Sequence, residues 1–349
     1  MKKAQYRYRG PVPQDVIEVV EFELESPEAG QVLIKVLAAP INPSDVLTLT
    51  GEYGILPELP AVGGMEGVGK VIELGEGVYN LTVGQRVLLS GTGGTWTTHL
   101  LATAKHLVPV PDGADAQQQA MMTVNPPTSL LLLSEFVDLD PGDWVIQNAA
   151  NSAVGGYLIQ IARKRRLKTV SIVRRESAVQ PLLDAGGDVV LVDTKDLRKR
   201  VTEATGGGQI RLGVDAIGGV ATERLARSVV NGGMIVNYGL LSGEPCQLSG
   251  ASLVFRDITL RGFWLAKWYR DASVEQRGAV FAELGQMMAE GSLSARVQAS
   301  YSIDQIKKAV AVAAAGGRDG KILIEPNASQ ISSNQPVLKS AGRSADLPA

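Results

Sequence analysis

The hydrophobic pattern changes character partway along the chain. Up to about Val110 it consists of short alternating segments, such as Gln31–Leu37, Gly69–Leu74 and Arg86–Leu89, set among Val, Gly and Pro. Period-two alternation broken by turn residues predicts an antiparallel β domain, because successive strand side chains face opposite sides. From Pro141 to Trp264 the alternation gives way to short apolar runs separated by helical stretches. The candidate strands there are Trp144–Ala149, Thr169–Val173, Val189–Val192, Gly213–Ala216, Met234–Tyr238 and Ile258–Gly262. Such runs predict parallel βαβ units in a doubly wound sheet. Beyond Arg270, Ser273–Glu290 and Tyr301–Ala315 read as amphipathic helices, and Lys321–Glu325 as a short strand placed to return to the first domain. The tail from Asn327 is Ser-, Asn- and Gln-rich without apolar periodicity, so 327–349 is expected to be disordered.

Composition narrows the class. A chain of 349 residues is long for one core, and two domains are expected. A formal net charge of −2 argues against a nucleic-acid binder. The single cysteine, Cys246, excludes a disulfide framework and a multi-cysteine zinc lobe. No run is long and apolar enough to span a bilayer, and MKKAQYRYRG lacks the apolar core of an export signal. A cytoplasmic protein without membrane or nucleic-acid partners is expected.

The cofactor signal lies at the first βα junction of the second domain. The strand Asp143–Ala149 runs into Ala150–Gly156 and then an apolar helix from Val154. A loop of small residues opening a helix lets backbone N–H groups approach a pyrophosphate, which the helix dipole also favours. The GxGxxG fingerprint is absent, since Asn148, Asn151 and Ser152 occupy the loop; a plain tight turn is the alternative. At Ser152, Ala153, Val154 and Gly155 the backbone matters more than the side chain. The next strand ends in Arg174–Arg175. An acidic residue there would accept the ribose hydroxyls of NAD, whereas arginine suits the 2′-phosphate of NADP, so NADPH is the expected cofactor. Tyr238 and Gly239 follow another strand's C-terminal end, where nucleotides bind in such sheets.

One segment of the first domain carries candidate chemistry. GEYGILPELPAVGGMEGVG (51–69) holds Tyr53 in a Gly- and Pro-rich stretch that is neither helix nor central strand. A stiff loop holding a phenol can supply a proton to a reduction if a hydride source sits opposite. A packed loop tyrosine is the plain alternative.

With these motifs in place, the chain resembles the zinc-free medium-chain dehydrogenase/reductases, and among them the trans-2-enoyl-thioester reductases. The resemblance rests on YGILPELPAVGG around Tyr53, QNAANSAVG (147–155), the arginine after the second strand, RGFWLAKW (261–268), Asn42-Pro43-Ser44-Asp45 and VNPPTS (124–129), and runs from about Val32 to Glu325. It implies a GroES-like β domain interrupted by a Rossmann-type domain, with the active site in the cleft between them. The implied boundaries are 1–120 plus 268–326 for the catalytic domain and 121–267 for the NADP-binding domain. The implied activity is NADPH-dependent reduction of the C2–C3 double bond of an enoyl-CoA or enoyl-ACP, with Tyr53 as proton donor. Met65, where relatives often carry a small polar residue, and Pro127 depart from the pattern.

Further roles come from the resemblance, each beside a plain reading. Asn42 is placed near the reacting centre, or is a turn residue. Thr128 is placed beneath the nicotinamide, or caps a helix. Phe263 and Trp264 line the cleft, or belong to the core. Lys321 reaches the cofactor phosphates, or lies on the surface. No metal site is expected, because only His99 and His106 exist and no histidine precedes Glu66; Glu66 is expected to pair with backbone or a cation. The exposed edge strand near Ile258–Trp264, together with the superfamily's habit, implies a homodimer. Two other functions remain open: an NADPH quinone reductase, and a non-catalytic nucleotide-binding sensor.

Overall fold

The structure, a computed structural model, describes residues 1–91 and 93–328. The expected tail therefore lies almost wholly outside the described residues. Its first residue is placed otherwise than expected: the Asn327 amide donates to Val36 O at 2.8 Å and Thr98 O at 3.1 Å, which ties it to the first domain.

The first domain is built on the long strand Gln31–Ile41. Val68–Leu74 pairs antiparallel along one side of it, and His99–Thr103 and Lys321–Ile324 pair antiparallel along the other. Val32, Ile34 and Val36 are buried, with Val71, Val87, Leu89 and Leu100 packed around them. This is the burial that the alternation in 31–37 predicts. A smaller sheet orders Ile17–Glu21, Lys2–Tyr6 and Ala61–Val62.

The second domain is a six-stranded parallel sheet. Its order is Val189–Val192, Lys168–Val173, Trp144–Gln147, Ile210–Asp215, Met234–Asn237 and Thr259–Gly262. All six strands match runs read from the apolar pattern, within three residues at each end. The order reverses direction beside Trp144–Gln147, and such a reversal opens a crevice at the carboxyl ends of the strands.

Two expectations shift. The helix Val274–Ala289 buries Val280, Leu284 and Met287 in the core that holds Leu130–Leu133, and packs on the helix Asn125–Leu132. It thus belongs with the second domain, and the chain rejoins the first at Val297 rather than at 268. The stretch expected as one helix from Tyr301 is the strand Val297–Tyr301, a turn at Ile303–Gln305, and the helix Ile306–Ala314. Ser302 and Gln305 form a capping box that separates strand from helix. A short helix, Leu265–Asp271, follows the last strand of the parallel sheet. Among the described residues, no helix is long and apolar enough to cross a membrane.

Candidate active site

Tyr53 sits just beyond the helix Pro43–Thr50. Gly51 ends that helix in the left-handed conformation, and the backbone N–H groups of Gly51, Glu52 and Tyr53 all return to Leu47 O. Three bonds to one carbonyl hold the start of the loop, and Arg9 holds its far side by donating to Pro57 O. Across the cleft, Trp264 closes the last strand of the parallel sheet and begins the helix Leu265–Asp271. Its indole N–H donates to the Tyr53 hydroxyl at 3.1 Å, and the two rings meet edge to face with centroids 6.1 Å apart. The indole lies close against the neighbouring glycine, where a Cβ at Gly54 would sit 3.3 Å from it. The phenol accepts from Trp264 and keeps its own proton to donate. Two residues 211 positions apart thus meet at the carboxyl end of the sheet.

The nucleotide loop is shaped by internal bonds. The Asn148 amide donates to Asp215 Oδ1 at 2.6 Å and its oxygen accepts from Ala216 N at 2.8 Å. Its side chain is therefore occupied in joining two strands, and Asn148 shapes the loop rather than facing it. Ser152 caps the helix Ala153–Lys164 by accepting from Gly155 N at 3.1 Å. A Cβ at Gly155 would lie 2.3 Å from Ala150 O, so the helix packs on the loop only because that residue is glycine. Val154 is buried and its carbonyl accepts from Ser129 Oγ at 2.8 Å, while Asn151 is exposed at the tip. This is a cradle of the kind a pyrophosphate needs, backbone with little side chain. Tyr238 and Gly239 follow the strand Met234–Asn237; burial holds the Tyr238 phenol well above its ordinary range, with the Ser152 hydroxyl opposing the shift. Arg174 and Arg175 are exposed just past Val173, and Arg175 Nη2 reaches Gly317 O at 3.3 Å. The residues fit a dinucleotide with a phosphate on its ribose.

Four expected roles change or narrow. Lys321 is neither a surface lysine nor aimed at phosphates: its strand runs antiparallel to 39–41, and its ammonium donates to Ile41 O at 3.1 Å and to Asn42 Oδ1. Asn42 is 2% exposed, and its amide donates to Glu66 Oε1 at 2.8 Å and accepts from Asn125 Nδ2 at 3.0 Å. Its oxygen is taken up by Asn125 and Lys321, which makes it a member of a buried network. Thr128 does not cap its helix; it lies in the first turn, where its hydroxyl donates to Val124 O at 2.7 Å. Phe263 turns to Phe136, centroids 5.8 Å apart, and packs on the main core.

A buried polar network emerges that the sequence reading did not assemble. Glu66 is fully buried and accepts from Asn42, from Thr123 N at 3.1 Å and from Thr123 Oγ1 at 3.2 Å, with Lys321 as the nearby cation. Asp45 Oδ2 accepts from Asn42 N at 2.7 Å, while Oδ1 is buried without a partner. The Tyr269 hydroxyl, from the helix that Trp264 opens, donates to Thr123 O at 2.7 Å. Burial raises Glu66, against the pull of Lys321; it raises Asp45 to about 7 and lowers Lys321 to about 8. The available signal was the pair of Asn-Pro steps at 42–43 and 125–126. Each opens a helix with Pro in the first turn, and the two asparagines bond each other. Among the described residues, no group of three or more His, Cys, Asp or Glu side chains is arranged to hold a metal ion.

The family description "Alcohol dehydrogenase GroES-like domain" matches residues 28–112, and "Zinc-binding dehydrogenase" matches 153–279. The curated mitochondrial enoyl-[acyl-carrier-protein] reductase of Rattus norvegicus is 37% identical over 310 residues, which cover 85% of this chain and 82% of that protein. The Homo sapiens counterpart is 38% identical over 289 residues, 81% of this chain and 78% of that one. The chain belongs to the medium-chain dehydrogenase/reductases. It is an oxidoreductase of that family, and its GroES-like and Rossmann-type domains are those the resemblance implies. Among solved structures, a complex of Etr1p with NADP and crotonyl-CoA superposes with a TM-score of 0.85 at 26% identity, covering 93% of this chain and 99% of that one. A Bacillus thuringiensis protein described as a putative NADPH:quinone reductase also reaches 0.85, at 30% identity over 93% of this chain and 98% of that one.

Proposed function

We propose that the protein reduces the C2–C3 double bond of a trans-2-enoyl thioester carried on CoA or ACP, using NADPH. The observation that carries the reading is Tyr53, held by Trp264 at the carboxyl end of the parallel sheet, opposite the nucleotide cradle. When bound, NADPH supplies the hydride that adds at C3. The loop 148–155 and the helix it opens hold the pyrophosphate, Arg174 meets the 2′-phosphate, with Arg175 beside it, and Thr128, Tyr238 and Gly239 border the nicotinamide half. Electron density displaced from C3 passes to the thioester oxygen, giving an enolate that must gain a proton at C2. Tyr53 gives that proton, or orients the water that does. Its loop fixes the phenol before the substrate arrives, which lowers the entropic part of the barrier.

The relatives named enoyl reductases support this reading over reduction of a quinone, which needs no such phenol. The likeness to the structure described as a quinone reductase keeps that second reading in play. Following NADPH oxidation first with crotonyl-CoA and then with a quinone separates them. Turnover with the quinone alone would overturn the first reading.

The fatty-acid setting, the compartment and the assembly are parts of the same proposal. The rat and human relatives are named mitochondrial, while the cytoplasm remains the reading for this chain; imaging a tagged full-length chain decides between them. A homodimer is supported by the edge strand Thr259–Gly262, exposed at all four residues, and by Val254 and Phe255, 74% and 81% exposed, just before it. A monomer by light scattering at micromolar concentration would contradict it.

A further inference from the structure

The loop 315–320 leads from the helix Ile306–Ala314 to the strand Lys321–Ile324, both packed in the first domain, yet it lies against the second. Arg175 Nη2 donates to Gly317 O at 3.3 Å, and a Cβ at Gly316 would sit 4.0 Å from Arg174 Nη2. Gly317, at φ 83°, comes closer still, since a Cβ there would meet Arg175 Nη1 at 2.7 Å. On its other side the loop is fastened to its own domain. Asp319 pairs with Arg296 at 2.6 Å, and its backbone N–H donates to Gln298 Oε1 at 3.0 Å. Between these two attachments stands Arg318. It is half-buried, and among the described residues no carboxylate pairs with it. Burial pulls its guanidinium below the usual arginine range, with no anion to oppose the shift. Its charge also bears on the buried ammonium of Lys321, so the side chain turns inward rather than out to bulk water.

We infer that Arg318 is a ligand of the cofactor's 2′-phosphate, supplied by the first domain; the inference rests on the placing of that phosphate at Arg174 proposed above. A phosphate monoester carries about 1.5 to 2 negative charges at neutral pH, more than one arginine neutralises. Arg174 is exposed, Arg175 is turned to a backbone carbonyl, and Arg318 follows the glycine that Arg175 holds. Among the described residues, none of the three guanidinium groups is paired with a carboxylate. Cations gathered without a counter-charge repel one another, and an anion arriving with the ligand relieves both that repulsion and the burial of Arg318. A guanidinium also matches phosphate oxygens in pairs, which suits it to this role. Arg174 thus selects the phosphate, and Arg318 closes on it from across the cleft. The bound phosphate ties the domain that holds the hydride source to the domain that carries Tyr53.

The test measures Kd on the full chain for NADPH and NADH, and for two fragments, adenosine 2′,5′-bisphosphate and 5′-AMP. Arg318→Gln removes the charge and keeps a polar side chain. NADPH and the bisphosphate should bind about tenfold more weakly or worse, while NADH and 5′-AMP bind as to the parent. Arg318→Lys keeps a charge without the fork and should recover part of the loss, which a defect of folding would not do. The thermal midpoint without cofactor should stay at the parent's value, because the guanidinium has no partner to lose. Combined with Arg174→Gln, the loss should differ from the product of the two single losses by about twofold or more, as for two residues on one group. Unchanged NADPH affinity in Arg318→Gln, or equal losses for NADPH and NADH, would overturn the assignment of Arg318. The Arg174 reading would still stand if Arg174→Gln weakened NADPH alone. A parent that binds NADPH and NADH equally well would take the phosphate from Arg174 and Arg318 together.

Discussion

The two walls of the cleft are built on different principles. The second-domain wall is made of backbone: a loop, a helix start, a glycine with no room for a side chain, and strand ends. Its loop and helix start lie within a few residues of one another, as Ser152 and Gly155 do. The first-domain wall is made of side chains brought together from far apart. Asn42, Glu66 and Lys321 form one buried network, joined from the start of the second domain by Thr123 and Asn125, and Lys321 lies 279 positions from the asparagine it bonds. A backbone site tolerates exchange of many side chains and depends on local conformation. A side-chain network depends on every member, since a buried polar group left unpaired is costly. The second-domain wall should therefore govern cofactor choice, and the first-domain wall catalysis and stability.

The sharpest way to break that comparison is Tyr53→Phe, which removes one hydroxyl and keeps the ring. Turnover of an enoyl thioester should fall on the order of 10²–10⁴-fold, mainly in kcat, with NADPH affinity nearly unchanged. Some activity survives, because hydride delivery is still positioned and water protonates the enolate slowly. Turnover within about twofold of the parent, with chemistry rate-limiting, would make Tyr53 a packing residue and put the quinone reading first.

Lys321→Met tests whether the network is cooperative. It leaves Glu66 with its amide partners but without the cation, and leaves Asn42 Oδ1 short of a donor. Breaking one side of a buried charge pair costs about 3–5 kcal/mol, read as a drop in thermal or denaturant midpoint. The double variant Lys321→Met with Glu66→Gln should recover part of that loss. If the single variant were as stable as the parent, the buried ammonium would have no structural role, and the contrast between the walls would fail.

How much of this was legible follows the same division. The six strands of the parallel sheet were readable because apolar runs announce buried strands, and the nucleotide loop because small residues at a strand–helix junction are a local pattern. Tyr53 stood out because Pro57, Pro60 and the glycines around it rule out regular structure. What the pattern does not contain is the partner of each polar side chain. Lys321 in KILI reads as the polar residue of a strand; only the antiparallel pairing with 39–41 turns it inward. The helix Val274–Ala289 shows the same limit in apolar form, since its stripe was visible but the helix it faces was not.

Asp45→Asn probes the network through pH. The Asp45 carboxyl is raised from 3.8 to about 7 chiefly by burial. The folded protein thus holds a proton there that the unfolded chain loses above about 4. Stability from this group is complete below about pH 4 and is lost as pH rises toward 7, where the native state must ionise a buried carboxyl. Lys321 has the opposite sign: lowered to about 8, its charged form is penalised below that pH, and the penalty fades toward pH 10. Asparagine keeps an acceptor for Asn42 N without titrating. The variant should gain on the parent between pH 4 and 7 by up to about 4 kcal/mol, and the gain should level off above pH 7. Denaturant unfolding at several pH values measures it, and parallel pH profiles for the two proteins would show that Asp45 does not titrate in this range.

The smallest effect is expected at the other wall, and it tests the claim that cofactor choice lives there. Arg174→Asp replaces a cation with a like charge to the 2′-phosphate, at an exposed position past Val173 where folding tolerates the change. Losing one charge-assisted contact costs roughly 1.5–3 kcal/mol, so NADPH affinity should fall about tenfold or more. NADH lacks that phosphate and should bind about as before, or better if the new carboxylate accepts from the ribose hydroxyls. Thermal stability in the absence of cofactor should not move, because Arg174, unlike Lys321, lies outside any buried network. Equal losses for the two cofactors, by fluorescence titration, would take the phosphate from Arg174 and leave Arg175, already turned toward Gly317 O, as the residue to test next.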